Sequence, residues 1–126
     1  RMGKRCLIDT HILIEYSSNN LPNKAQNFVS EIIDEDFNIS VINKIEILSH
    51  SSAGKQIEDF IDLSKRIPLT DNVINMTIEL RKSNKSKLPD AVIAATAIVN
   101  DFILLTRNIK DFEKISELNV INPHNI

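Results

Sequence analysis

The sequence has no tryptophan, one tyrosine, one cysteine and two glycines in 126 residues. Each scarcity excludes something. Gly3 and Gly54 stand alone, so the chain holds neither a G-x-G-x-x-G dinucleotide loop nor a G-x-x-x-x-G-K-[ST] phosphate loop, both of which need clustered glycine for close backbone approach. With Cys6 the only thiol, an intrachain disulfide and any zinc site with two or more Cys ligands are ruled out, and a reducing cytoplasm is the expected location. Tyr16 and five phenylalanines are too few for a broad platform that stacks nucleic-acid bases. The longest apolar runs, such as Ala91–Val99, fall short of the roughly 20 residues that cross a bilayer, and no secretory leader pattern opens the chain. No membrane partner is expected. Charge of one sign is lacking too: 15 Lys and Arg stand against 17 Asp and Glu, a net of −2.

What is present is enough apolar side chain for a core: 42% hydrophobic residues with 25% charged ones describe a globular chain. The length fits one domain over 1–126, with residues 1–3 expected to be a tag remnant or disordered and Arg1 left out of the fold reasoning. Arg5–Asp9 reads as a strand ending in a carboxylate, and Thr10–Tyr16 as a short helix capped by Asp9 or Thr10. Pro22 suits the first turn of a helix in which Ala25, Phe28, Val29, Ile32 and Ile33 share a face. Phe37–Ile42 alternates as a strand, and Asn43 onward supplies a helix. Ala53–Leu63 puts Ile57, Phe60 and Ile61 on one face, Arg66–Leu69 is extended, and Thr70 or Asp71 caps a helix to about Lys82. Arg81–Lys87, rich in charge and free of apolar residues, reads as an exposed basic loop. Pro89 opens the most apolar helix, followed by a strand at Phe102–Thr106 and a short one at Asn119–Pro123. This β-then-α rhythm predicts a three-layer α/β/α sandwich around a parallel sheet of four or five strands. In such sheets ligands bind beyond the carboxyl ends of the strands, at the point where strand order reverses.

Most of the acids have bland readings as wet faces and helix ends. Asp9, Glu46 and Asp90 do not. Asp9 ends an apolar strand at the ligand-binding edge. Glu46 falls on the face Ile42, Ile45, Glu46, Ser49, on or beside the buried stripe of its helix, and Asp90 shares a face with Ile93, Ala94 and Ala97. Asn108 and Asp111 follow the fourth strand and meet Asp9 if the first and fourth strands are neighbours. A carboxylate in such places is costly unless paired or bound to a cation. Oxygen ligands converging without His or Cys suit a hard ion, Mg²⁺ or Mn²⁺, and carboxylates holding such ions serve phosphodiester hydrolysis. The competing reading is that Asp9 and Asp90 only cap helices, that an Arg pairs Glu46 and that Asp111 starts a helix.

The segments Leu7–Glu15, Ile39–Leu48, Leu88–Ala97 and Leu105–Phe112, closing with Val120–Pro123, resemble the successive motifs of PIN domains, and among these the toxins of the VapC type. The resemblance runs through nearly the whole chain. It implies a PIN-like fold and a small Mg²⁺- or Mn²⁺-dependent endoribonuclease whose acidic quartet is Asp9, Glu46, Asp90 and Asp111, with metal on Asp9, Asp90 and Asp111. Thr10, Thr106 and Asn108 then line the site. His11 stands where the family most often has Asn, and Glu15 where Asp is frequent; His11 lines the pocket and orients a carboxylate, or packs. A cognate antitoxin and a homodimer are further implications. His50 and His124 lack partners at metal-ligand spacing and are expected at the surface.

An RNA nuclease with this charge needs local cations. Arg81, Lys82, Lys85 and Lys87 precede Asp90, and Arg107 and Lys110 precede Asp111; they either hold phosphates beside the scissile bond or merely keep loops soluble. Ile12, Leu13 and Tyr16 fit a dimer or antitoxin surface and equally the core. Two rival readings remain. A receiver-like phosphoacceptor needs an acidic pair after the first strand, an Asp after the third and a Lys after the fifth, none of which is found. A catalytically silent PIN-like binding or interaction module would carry a broken quartet, and the quartet is complete.

Overall fold

The computed structural model describes residues 5–50 and 53–126; the expectation for residues 1–3 lies outside them. A parallel sheet of five strands runs in the order β3-β2-β1-β4-β5, where β1 is Arg5–Ile8, β2 Asn38–Ser40, β3 Lys65–Ile67, β4 Phe102–Leu105 and β5 Val120–Ile121. In β1, Cys6 and Ile8 face one layer and Leu7 the other; in β4, Leu105 and Leu104 divide in the same way. That period of two, apolar on both faces, is why these strands read as continuous hydrophobic runs.

Helices α1 (Thr10–Ser17), α2 (Asn23–Glu35), α3 (Val41–Leu48) and α4 (Lys55–Asp62) cover one face, packing Ile12, Leu13, Val29, Ile47 and Ile61 against the sheet. Helices α5 (Asp71–Asn84), α6 (Leu88–Val99) and α7 (Ile109–Phe112) cover the other with Val73, Leu80, Ile93 and Phe112. The alanines of α6 are fully buried, so α5 and α6 approach closely. Ile12 and Leu13 belong to the core, which settles their two readings. A 3₁₀ turn at Pro123–Asn125 closes the chain.

Several boundaries differ from expectation for local reasons. Asn43 lies inside α3, which starts at Val41 because the Ser40 hydroxyl accepts from Asn43 N while the Asn43 side chain accepts from Ser40 N, a reciprocal box that ends β2 early. Pro22 is the residue capping α2 rather than part of its first turn. Arg81–Asn84 is no loop but the last turn of α5, ended by Lys85 in the left-handed region at φ 53°; only 85–87 connect it to α6. Basic side chains near a helix C-terminus complement its dipole, which offsets their cost there.

The site follows from the strand order. β1 pairs with β2 on one side and with β4 on the other, with Ile8 opposite Leu105, so the order reverses beside β1. Asp9 N donates to Leu105 O at 2.9 Å, which carries this pairing one residue beyond the strand and places Asp9 at the switch point.

Candidate active site

Asp9 caps α1 and is 8% exposed. Its Oδ1 accepts from Thr10 N at 2.9 Å and from Asn43 Nδ2 at 3.2 Å, and its Oδ2 from Thr106 Oγ1 at 2.8 Å. The capping reading is therefore correct as far as it goes, and it does not exhaust this carboxylate: donors come from α1, from α3 and from the segment that follows β4. Thr10 Oγ1 donates to Glu46 Oε1 at 2.6 Å. Asp90, in the first turn of α6, is half-buried, and its carboxyl is pushed above the ordinary value by burial and then by the negative fields of Asp111, Asp9 and Glu46, with Lys87 opposing. Asn108 Nδ2 donates to Asp111 Oδ2, and Asn108 N to Thr106 Oγ1 at 3.0 Å.

Asp9, Thr10, His11, Glu46, Asp90 and Asn108 line one cavity of about 540 Å³, together with Ile14, His50 and Ile93. Asp111 is not part of that lining; it acts on Asp90 through its charge. A hollow of similar size, lined by Ser17, Ser18, Asn19, Gly54, Gln56 and Ile57, has no titratable side chain in its lining. Among the described residues no three Asp, Glu, His or Cys side chains form a group that could hold a metal ion as they stand. The donor set nevertheless fits a hard divalent ion. It is built of carboxylate oxygens, and the burial of Asp90 together with the repulsion from its acidic neighbours is the stress that such a cation relieves.

Three expectations need correction. Glu46 is exposed, not on a buried stripe; the buried side of α3 is Asn43 and Ile47, and Ile45 is 59% exposed. The helix is rotated so that Glu46 reaches the cleft from its rim, and its partner is a hydroxyl rather than an Arg. His124 is no bystander: its Nε2 is 2.8 Å from Glu15 Oε1, while Arg107 Nη1 donates to Glu15 Oε2 at 2.6 Å. This half-buried carboxylate ties α1 to the C-terminal turn and to the segment that follows β4. Arg107 is thereby already paired, although it also lines a smaller cleft of about 340 Å³ with His11 and Asn108. His50, exposed as expected, stands on the wall of the acidic cavity. His11 is exposed on the same wall and does not pack. Arg81, Lys82, Lys85, Lys87 and Lys110 are exposed, and Lys87 is near enough to lower the Asp90 pKa.

The sequence reading missed Asn43 as a site residue. The signal was its place three residues after Ser40, the spacing of a reciprocal cap that buries the amide beside the carboxyl end of β2.

An α/β/α sandwich with an acidic cleft at its switch point is thus the class of protein that the fold defines. The PIN domain family model matches residues 6–118, and the chain belongs to the PIN-domain family. A solved toxin-antitoxin complex from Klebsiella pneumoniae contains a chain 30% identical to this one, with a TM-score of 0.76 over 96% of this chain and 99% of that chain. VapBC2 from Rickettsia felis bound to a promoter DNA fragment is similar at 22% identity and TM-score 0.77, over 92% and 96%. DNA-bound VapBC from Salmonella typhimurium matches at 20% and 0.77, over 96% and 99%; these last two establish the shared fold. No curated protein matches the chain significantly in sequence. No helix among the described residues is long and apolar enough to cross a membrane.

Proposed function

We propose that this chain, a single PIN domain over 1–126, is a metal-dependent endoribonuclease and the VapC-type toxin of a toxin-antitoxin pair, acting in the cytoplasm. The observation that carries this reading is the gathering of Asp9, Glu46 and Asp90 on one cleft, with Asp111 close enough to raise the Asp90 pKa. Its solved likeness at 30% identity, described as a toxin-antitoxin complex, supports the toxin half.

Asp9, Asp90 and Asp111 would hold Mg²⁺ or Mn²⁺, which when bound would supply acidified water and neutralise charge developing on the attacking and leaving oxygens. The chain's own residues do the rest. Thr10, Thr106 and Asn43 fix the direction of the Asp9 and Glu46 oxygens. Glu46, at the rim, meets the substrate side of the cleft. Arg81, Lys82, Lys85 and Lys87 on one flank, and Lys110 with Arg107 on the other, hold RNA phosphates, so that affinity comes from the flanks and chemistry from the centre. A cognate antitoxin masks the acidic cleft, most simply with a basic side chain, and the toxin works as a homodimer.

Purified protein incubated with structured RNAs, with and without Mg²⁺ or Mn²⁺, tests this beside Asp9→Asn and Asp90→Asn. Cleavage is expected only for the unsubstituted chain with metal. Cleavage that survives EDTA or either substitution defeats the mechanism.

A further inference from the structure

Asn43 does more than complete the cap of α3. It is fully buried, and its amide is engaged on both sides. Oδ1 accepts from Ser40 N at 3.0 Å and from Ser40 Oγ at 2.9 Å, while Nδ2 donates to Asp9 Oδ1 at 3.2 Å and to Thr10 Oγ1 at 3.0 Å. The polarity is forced. Ser40 N–H can only donate, so Oδ1 must face it, and the amide protons are left facing the carboxylate and the hydroxyl. With an Asn43 proton on its lone pair, Thr10 turns its own O–H to Glu46 Oε1 at 2.6 Å. One amide therefore orients two carboxylates on two elements. A capping box needs only the half that faces Ser40; the other half points at the acids.

We propose that Asn43 is a positioning residue of the acidic cleft, holding Asp9 directly and Glu46 through Thr10 in the arrangement that a divalent ion and the substrate require. This rests on the nuclease reading above. Outer-shell partners of this kind carry about 10- to 100-fold in metal affinity or activity.

Ser40 supplies the control, because it shares the capping role and not the other. Ser40→Ala removes the capping hydroxyl but leaves Ser40 N–H on Asn43 Oδ1, and both Nδ2 bonds stand. It should lower Tm while leaving the Mn²⁺ affinity, read by calorimetric titration, and the kcat for RNA unchanged. Asn43→Ala should lower Mn²⁺ affinity and kcat by about 10- to 100-fold, with KM for RNA unmoved. Asn43→Asp keeps the shape and the acceptor that Ser40 requires, so the cap of α3 is retained, and it replaces the donor facing Asp9 by an oxygen that sets a like charge beside it; kcat should fall in this variant as well. Equal losses of Mn²⁺ affinity in Ser40→Ala and Asn43→Ala, or a wild-type rate in Asn43→Asp, would reduce Asn43 to a cap and overturn the proposal. If the unsubstituted protein binds Mn²⁺ yet cleaves no RNA, the nuclease reading falls alone and the titration still decides Asn43. If it does neither, both fall.

Discussion

Thr106 Oγ1 donates to Asp9 Oδ2 at 2.8 Å, a bond between residues 97 apart in sequence that closes the β1–β4 junction over a fully buried hydroxyl. The same oxygen accepts Asn108 N–H at 3.0 Å, so this one hydroxyl orders the start of the segment that leads to Asp111. Thr106→Val keeps the shape and removes both roles. It should cost about 1–2 kcal/mol of stability by leaving a buried carboxylate oxygen and an amide unpaired, and lower kcat by about 10- to 100-fold. Thr106→Ser, which restores the hydroxyl, should recover most of the rate. Denaturant melts and initial rates on one RNA check this; a Val variant as active as the Ser variant would show that the bond only packs.

That junction also marks how far the sequence could be read. Apolar runs at Cys6–Ile8 and Phe102–Leu105, each followed by a polar residue, made the strands, the switch point and Asp9 legible, because burial on both faces leaves an unmistakable pattern. Helix α3 was less legible. Its stretch is apolar on nearly every side, so periodicity could not choose between the Ile45–Glu46 face and the Asn43–Ile47 face that is in fact buried. The choice is made by a polar web around Asp9 that no local pattern encodes. Glu15, Arg107 and His124 were invisible as a group for the same reason, since their meeting depends on where the C-terminal turn comes to rest.

Glu15 bridges Arg107 and His124 with one carboxylate, its side chain 18% exposed. Charge-assisted bonds at a partly shielded acid are worth more than an exposed pair, so Glu15→Ala should destabilise by roughly 1–3 kcal/mol. Glu15→Gln, which keeps an acceptor, should lose less. Hydrogen exchange should place the extra opening at Pro123–Asn125 and at 107–111 rather than in α5. Uniform loosening of the whole chain is the result that rejects a local tie.

Asp36 sits at the opposite end of the sheet, where Arg5 Nε donates to it at 2.6 Å. Burial raises its pKa, but the Asn38 hydrogen bond, the Arg5 guanidinium and Lys65 outweigh that, and the net is a carboxyl held below its ordinary 3.8. A depressed acid stabilises the fold above its unfolded pKa, and this contribution disappears as pH falls through the folded value. Asp36→Asn should therefore cost about 0.5 kcal/mol near neutrality, the scale of an exposed pair, and nothing in strong acid. Urea melts across the acid limb check this, and a difference independent of pH would rule the ion pair out as its source.

Lys85 holds a left-handed backbone at φ 53° where glycine is the residue without a steric penalty, and Lys87 caps α6 just ahead of Asp90. Lys85→Gly consequently removes a charge while relieving the turn, so weaker RNA binding in this variant cannot be laid to misfolding. Together with Lys87→Glu it should weaken binding to uncleaved RNA and reduce the slope of log affinity against log salt by about 0.7 for each single-strand phosphate no longer neutralised. Filter binding at several salt concentrations, on an Asp90→Asn background, measures this. An unchanged slope with Tm raised means that these lysines serve only solubility.

Asp90 carries the conflict between stability and chemistry. Burial and then the fields of Asp111, Asp9 and Glu46 raise its pKa, so the folded chain holds this proton more tightly than the unfolded one. Its favourable contribution is complete below the unfolded pKa and is lost as pH rises through the folded one, which makes the ionised carboxylate a cost near neutrality. Asp90→Asn should accordingly raise stability in EDTA near neutral pH, by on the order of 0.5 kcal/mol because a half-exposed carboxylate keeps much of its solvent screening. It should bring no gain in strong acid, where the unsubstituted side chain is already neutral. Added Mg²⁺ or Mn²⁺ reverses the order: a cation that binds only the folded state stabilises the unsubstituted protein by mass action, and the Asn variant should show little of that rise and no cleavage. Scanning calorimetry with EDTA, Mg²⁺ and Mn²⁺ at two pH values separates these effects. A variant destabilised in EDTA would mean that Asp90 is a helix cap first, whereas one stabilised in EDTA and silent to metal places the repulsion, and the ion that relieves it, on this carboxylate.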